Sequence, residues 1–198
     1  MLEIELKAVL PNLDAVRNTL ERSGAELEFT GGLEDRRFDT PKRALRGRDE
    51  VLRLRVYRPD TEEARAYLDW KGPTSYDDGY KRREEISTSA GSAESLTAIL
   101  ENLGYVVTMA IDRRIWQYRV DGATVRLERY PRMDDLVEVE GDVDAIERAI
   151  SRTGVARQAF SADRLPDFVR RYQARTRSIA ALSRDELTSG SRQDSADA

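Results

Sequence analysis

A chain of 198 residues with 33 Lys and Arg against 37 Asp and Glu carries a net charge of −4 and contains neither Cys nor His. Without Cys there are no disulfides or thiolate metal sites, and without His the commonest catalytic base and transition-metal ligand is missing; any metal must be a hard cation held by oxygen, and acid–base work falls to Glu, Asp, Lys, Tyr or metal-bound water. The acidic balance argues against a dedicated nucleic-acid binder, no apolar run approaches a membrane span, and the opening MLEIELK lacks the basic and apolar regions of a signal peptide, so a cytoplasmic protein is expected.

The first predicted element is a strand. In Glu3-Ile4-Glu5-Leu6-Lys7, residues i, i+2 and i+4 share a face of an extended chain, so two carboxylates and an ammonium point one way while Ile4 and Leu6 point the other. Asn12 then caps a helix that carries Leu13, Val16 and Leu20 and ends at Gly24. After Asp35-Arg36-Arg37 the alternation returns: Arg53 and Arg55 share a face over residues 52–56, Asp69 and Lys71 over 68–71, and Lys81, Arg83 and Glu85 over 81–86. Ser92 caps a second helix, running through Leu96, Ile99, Leu100 and Leu103 to Gly104. Asp112-Arg113-Arg114 follows, then a strand over 125–128 with Arg126 and Glu128 on one face, and another over 137–140 with Glu138 and Glu140. A third helix is expected over 143–153 before Gly154, a fourth from about residue 164 through Phe168, Val169 and Tyr172 toward residue 182, and a disordered tail over 183–198.

These charged faces either look outward around an apolar core or converge on a polar interior. Comparing the halves of the chain bears on the choice. Strand, helix to glycine, Asp-Arg-Arg, then Arg53-Leu54 with Tyr57 and the stretch 68–72 match, in order, strand, helix to glycine, Asp-Arg-Arg, then Arg126-Leu127 with Tyr130 and the stretch 137–141. This reads as a loose duplication of one strand, one helix and three strands, with chance alignment of short charged strands as the competing account. Two such units supply eight strands, enough to close a barrel just wide enough for side chains or one small ligand. Inside a barrel, Glu3, Glu5, Glu128, Glu138 and Glu140 would need a cation, because a carboxylate pair at about 4 Å repels by roughly 4 kcal/mol at an effective dielectric of about 20. Lys7, Arg53, Arg55, Lys71, Lys81, Arg83, Arg114 and Arg126 form an opposing set of cations, and a polyphosphate chelated to Mg²⁺ or Mn²⁺ satisfies both.

Taken in order, EIELK, DRRFDTP, LRLR, WKGP, KRREEI, the 112–118 stretch DRRIWQY, VRLER and LVEVEG resemble the CYTH-domain proteins. These are the triphosphate tunnel metalloenzymes, which include class IV adenylyl cyclases, thiamine triphosphatases and inorganic tripolyphosphatases. The likeness covers residues 1–141 and is nearest the class IV cyclase branch. It implies an α+β fold in a single domain over 1–182, with an eight-stranded antiparallel β-barrel tunnel, a charged interior and flanking helices.

The resemblance further implies metal on Glu3, Glu5, Glu138 and Glu140, with Glu128 where the family usually has Asp. Phosphate oxygens would lie on Lys7, Arg53, Arg55, Lys71 and Arg83, with Lys81 and Arg126 added by the strand pattern. Lys7, Glu128 and Arg114 are the catalytic candidates; Arg114 fits the second arginine of a KxR-like pair whose partner position holds Asp112. The implied function is a Mg²⁺- or Mn²⁺-dependent enzyme acting on triphosphates. In the leading reading the 3′-hydroxyl of ATP attacks the α-phosphorus to give cyclic AMP and pyrophosphate. In the alternative, water attacks the terminal phosphorus of thiamine triphosphate, tripolyphosphate or a nucleoside triphosphate, and a non-catalytic polyphosphate-binding module is the third reading. The implied partner is the small-molecule triphosphate, with no nucleic acid and no membrane; homodimer formation stays open.

Overall fold

Period-two alternation builds most of this molecule. The computed structural model describes residues 2–193, with strands β1 (Leu2–Leu10), β2 (Glu26–Asp39), β3 (Val51–Pro59), β4 (Arg65–Lys71), β5 (Ser75–Asp77), β6 (Tyr80–Ala90), β7 (Val106–Val120), β8 (Ala123–Arg129) and β9 (Asp135–Glu140). The helices are α1 (Leu13–Arg22), α2 (Ala44–Gly47), α3 (Ala93–Asn102), α4 (Val143–Thr153), α5 (Leu165–Thr176) and α6 (Arg184–Gln193). Neighbouring strands run antiparallel in the order β1-β9-β8-β7-β2-β3-β4-β6, and β6 returns to β1 to close an eight-stranded barrel; β5 is a short flap on β6. Closure removes the exposed strand edges that would otherwise template aggregation.

The duplicated unit is visible in the topology. β1, α1, β2, β3 and β4 recur as β6, α3, β7, β8 and β9, and exchanging the two sets leaves the strand order around the barrel unchanged. The helix of each unit covers mainly strands of the other. Leu13, Val16 and Leu20 of α1 pack with Ile146, Ala149 and Ile150 of α4 on the aliphatic backs of β1, β8 and β9, while Leu96 and Leu100 of α3 cover Phe38, Leu54 and Leu68. The helices start where the caps predict: the Asn12 side chain accepts the Ala15 N–H at 3.0 Å and Ser92 accepts that of Ser95 at 3.1 Å. α4 gains a cap from Asp142 and ends on Gly154 in the left-handed region.

The two barrel ends differ. At one end Phe29, Leu33, Ile115 and Tyr57 form an apolar plug. At the other, α5 lies across the opening through Phe168, which packs with Ile111, Tyr130, Leu136 and Leu182.

Three expectations are corrected here. The fourth helix stops at Thr176 rather than running toward Leu182, because Arg177 turns into the left-handed region and the chain then pairs Ala181 with Arg132 across an isolated bridge. The segment expected as a tail carries α6, started by Arg184 N–H donating to Asp112 at 3.0 Å and by Leu182 N–H donating to Glu186 at 2.7 Å; residues 194–198 lie outside the described residues. The two Asp-Arg-Arg triplets, matched one to one in the sequence, present opposite faces. Asp35 points inward and Asp112 outward, since register shifts between Leu27 and Phe29 and between Arg37 and Phe38 offset β2 against β7.

Candidate active site

Alternation puts the charged set of each strand inside. β1 contributes Glu3, Glu5 and Lys7; β2 Asp35 and Arg37; β3 Arg53 and Arg55; β4 Asp69 and Lys71; β6 Lys81, Arg83 and Glu85; β7 Arg113; β8 Arg126 and Glu128; and β9 Glu138 and Glu140. Of the residues expected in the site, Glu3, Glu5, Lys7, Arg53, Arg55, Lys71, Lys81, Arg83, Arg126, Glu128 and Glu138 line one cavity of about 490 Å³. Glu140 stands beside them, its Cα paired with that of Glu5 across β1 and β9.

Buried charge survives only where it is paired, and the interior is a chain of such pairs. Lys7 Nζ lies 2.5 Å from Glu5 and 2.8 Å from Glu138, whose other oxygen accepts from Arg126 at 2.7 Å. Lys81 pairs with Glu5, and Lys71 reaches Glu3 at 2.5 Å and Glu85 at 3.2 Å. Across the barrel Asp69 holds Arg53 at 3.1 Å and Arg55 at 2.5 Å. Arg113 bridges Asp35 at 2.6 Å and Glu128 at 2.8 Å, and the Tyr130 hydroxyl donates to Glu128 at 2.5 Å. The protonation states follow from this. Burial opposes ionisation of Glu5 and of Glu138, but Lys7 prevails and both carboxyls sit below the usual range.

Three groups stand apart from the network. Burial pushes the Glu140 carboxyl up to about 7, with Arg126 pulling it down and Glu3 and Glu138 pushing it further up; no ion pair within 4 Å is formed by it among the described residues. Arg83 donates to the carbonyls of Gly72 at 2.6 Å and Asp49 at 2.5 Å rather than to a carboxylate. Arg37 has a buried Nε without a hydrogen-bond partner.

Arg114 is the correction within the expected set. It sits outside the barrel, 46% exposed in its side chain, with Asp60 at 2.6 Å and the Trp116 ring beneath it. Its neighbour Arg113 takes the inward position. Asp112, at the position paired with Arg114 in the motif, also faces away from the cavity; it accepts from Arg36 at 2.7 Å and holds the start of α6, so its charge subtracts nothing from the cationic wall. Sequence reasoning assigned no role to Asp35, Arg37, Asp69, Glu85, Arg113 or Tyr130. Asp69 and Glu85 were in plain view on the faces of Lys71 and Arg83, whereas Arg113 needed the β7 register.

The carboxylates suit a hard divalent cation. Glu3, Glu5 and Glu140 are i, i+2 and cross-strand neighbours with oxygen donors only, and Glu140 is a half-buried carboxyl held near 7 with no ion pair within 4 Å among the described residues. Among the described residues no three acidic side chains are gathered as a ready-made cage, because Lys7, Lys71 and Lys81 reach between them.

The comparisons agree with this architecture. The CYTH domain family matches residues 1–153. A Vibrio parahaemolyticus protein provisionally described as an adenylate cyclase superposes with a TM-score of 0.72 at 21% identity, covering 86% of this chain and 98% of that one. The PH1819 protein of Pyrococcus horikoshii gives 0.68 at 23% identity, with 85% and 98% covered. A Hippeastrum protein, provisionally described as an adenylyl cyclase and as having a dominant triphosphatase activity, gives 0.59 at 16% identity, with 92% and 98% covered. At these identities the structural likenesses speak to the fold. Among curated proteins none matches the sequence significantly. With the family match spanning three-quarters of its length and the closed, charged barrel in place, the chain belongs to the CYTH-domain family.

Proposed function

We propose that this chain is a divalent-metal-dependent hydrolase of triphosphates, splitting the terminal phosphoanhydride so that tripolyphosphate and water give pyrophosphate and orthophosphate. The observation that carries the reading is the segregation of charge within one cavity. Carboxylates concentrate on β1 and β9, while Arg37, which forms no ion pair within 4 Å among the described residues, lies with Arg53 and Arg55 on β2 and β3 across the barrel. A metal–polyphosphate complex matches that division, cation to one wall and phosphoryl oxygens to the other.

Glu3, Glu5, Glu138 and Glu140 would hold Mg²⁺ or Mn²⁺, with Glu128 beside them. The bound ion supplies Lewis-acid stabilisation of charge on the phosphoryl oxygens. Lys7, Lys71 and Lys81 exchange carboxylate partners for phosphate oxygens, and Arg53, Arg55 and Arg126, fixed by Asp69 and Glu138, offer donors that need no reorganisation. Water adds to the terminal phosphorus, the bridging P–O bond breaks, and the proton from water leaves to solvent at the mouth. The triphosphatase description of the Hippeastrum neighbour supports this reading. Cyclisation of ATP is the second reading, favoured by the cyclase description of the Vibrio neighbour.

Product identification separates them. The purified protein is incubated with tripolyphosphate, thiamine triphosphate and ATP in Mn²⁺. Orthophosphate from tripolyphosphate supports hydrolysis; cyclic AMP and pyrophosphate from ATP, with no orthophosphate from any substrate, refutes it.

A further inference from the structure

We propose that Arg37, with Arg43 and Arg46 of the β2–β3 connection, forms an anion subsite at the cavity mouth that takes a fourth phosphoryl group, so that linear polyphosphates of four or more groups are the preferred ligands. The inference rests on the phosphate-binding reading of the cavity and adds the length of chain it accommodates.

Arg37 lines the same cavity as the other inward cations, its Cα paired with that of Arg53. The inward guanidiniums of β3, β7 and β8 each have a carboxylate: Asp69 for Arg53 and Arg55, Asp35 and Glu128 for Arg113, Glu138 for Arg126. Arg37 has none within 4 Å among the described residues, and its Nε is buried without a partner. Burial, and then Arg53, depress its proton affinity to about 10; Asp35 opposes this from beyond ion-pair distance and is already engaged by Arg113. A half-buried guanidinium whose Nε is shut off from water without a partner is costly unless a ligand brings the counter-charge.

The mouth around it has no carboxylate to spare. Asp39 accepts the N–H groups of Leu45 and Arg46, both at 2.9 Å. Asp49 holds Arg164 at 2.9 and 3.0 Å, and Glu50 holds Arg48 at 2.9 Å. Arg43 and Arg46 line the cavity and form no ion pair within 4 Å among the described residues. A neutral sugar placed here would leave Arg37 uncompensated. The aromatic cluster able to receive a ring, Phe29, Tyr57 and Tyr67, lines a second cavity of about 290 Å³ at the opposite end, where Phe29 and Tyr57 belong to the apolar plug.

The test is steady-state kinetics on tetrapolyphosphate, tripolyphosphate and ATP with the native chain, Arg37→Gln and Arg37→Lys. The native chain should favour tetrapolyphosphate over tripolyphosphate by roughly fivefold or more in kcat/KM, and Arg37→Gln should raise KM for tetrapolyphosphate about tenfold, at least fivefold more than for ATP, with Arg37→Lys recovering most of the loss. Equal losses on all three substrates, or a native preference for tripolyphosphate or ATP, would overturn the subsite. If the native chain turns over none of them, the hydrolysis reading fails, and calorimetry then decides the subsite alone: tighter binding of tetrapolyphosphate than of tripolyphosphate that Arg37→Gln abolishes supports it, and equal affinities refute it. Should Arg37→Gln fail to fold, the exposed pair Arg43→Ala and Arg46→Ala carries the same comparison.

Discussion

β4 and β9 occupy equivalent places in the two repeats and differ in one decisive respect. β4 presents Asp69 and Lys71 to the interior, whereas β9 presents Glu138 and Glu140. On β4 the carboxylate organises cations: Asp69 gathers Arg53 and Arg55, and Lys71 reaches across to Glu3. On β9 the second carboxylate has no such outlet: Glu140 stands opposite Glu5, whose own partners are Lys7 and Lys81, and forms no ion pair within 4 Å among the described residues. A symmetric scaffold thus carries an asymmetric site, and the asymmetry, rather than the barrel, is what gives a bound polyphosphate a direction.

Erasing the difference should have the largest effect. Glu140→Lys gives β9 the pattern of β4, and kcat for tripolyphosphate should fall by roughly 10³-fold while far-UV circular dichroism is retained; activity within tenfold of native would break the comparison. On the β4 side, Asp69→Ala leaves Arg53 and Arg55 buried beside a lost partner, and urea unfolding should show a loss of about 3 kcal/mol.

The Glu140 carboxyl also imposes a pH dependence on the metal-free protein. Its pKa is raised from 4.5 to about 7, so the folded chain retains a proton that the unfolded chain releases. Its contribution is fully present below about pH 4.5, declines as pH rises and is lost above about 7, an effect of up to about 3 kcal/mol. Glu140→Gln should flatten that part of the stability profile in chelator; an unchanged profile would count against the burial argument. Lys71→Ala, removing one phosphate donor, should raise KM for tripolyphosphate about tenfold. Arg114→Ala should change kcat/KM less than about twofold, since the side chain sits outside the barrel on Asp60.

What could be read from the sequence follows the strictness of the alternation. β1, β3, β4, β8 and β9 keep a clean period of two, so their inward residues were legible as a charged face, and only the question of inward or outward remained. β2 and β7 are longer, and the register shifts in their pairing decide which of Arg113 and Arg114 enters the cavity; no local pattern encodes that. The chain after Thr176 carries apolar residues that would extend a helix, yet pairing with Arg132 and burial of Leu182 over the barrel end prevail. The isolation of Arg37 is a property of its surroundings. It lies in an Asp-Arg-Arg triplet like the one that holds Arg113, and only the fold shows which of the two has a carboxylate.

The most direct test of the central claim, that the carboxylate wall holds a divalent ion and the cationic wall its polyphosphate, is the rate of orthophosphate release from tripolyphosphate measured in Mn²⁺ and in excess chelator. Turnover in Mn²⁺ that disappears in chelator and returns on adding the ion back is the predicted result. Equal rates in both, or tight chelator-insensitive binding of tripolyphosphate without turnover, would contradict it.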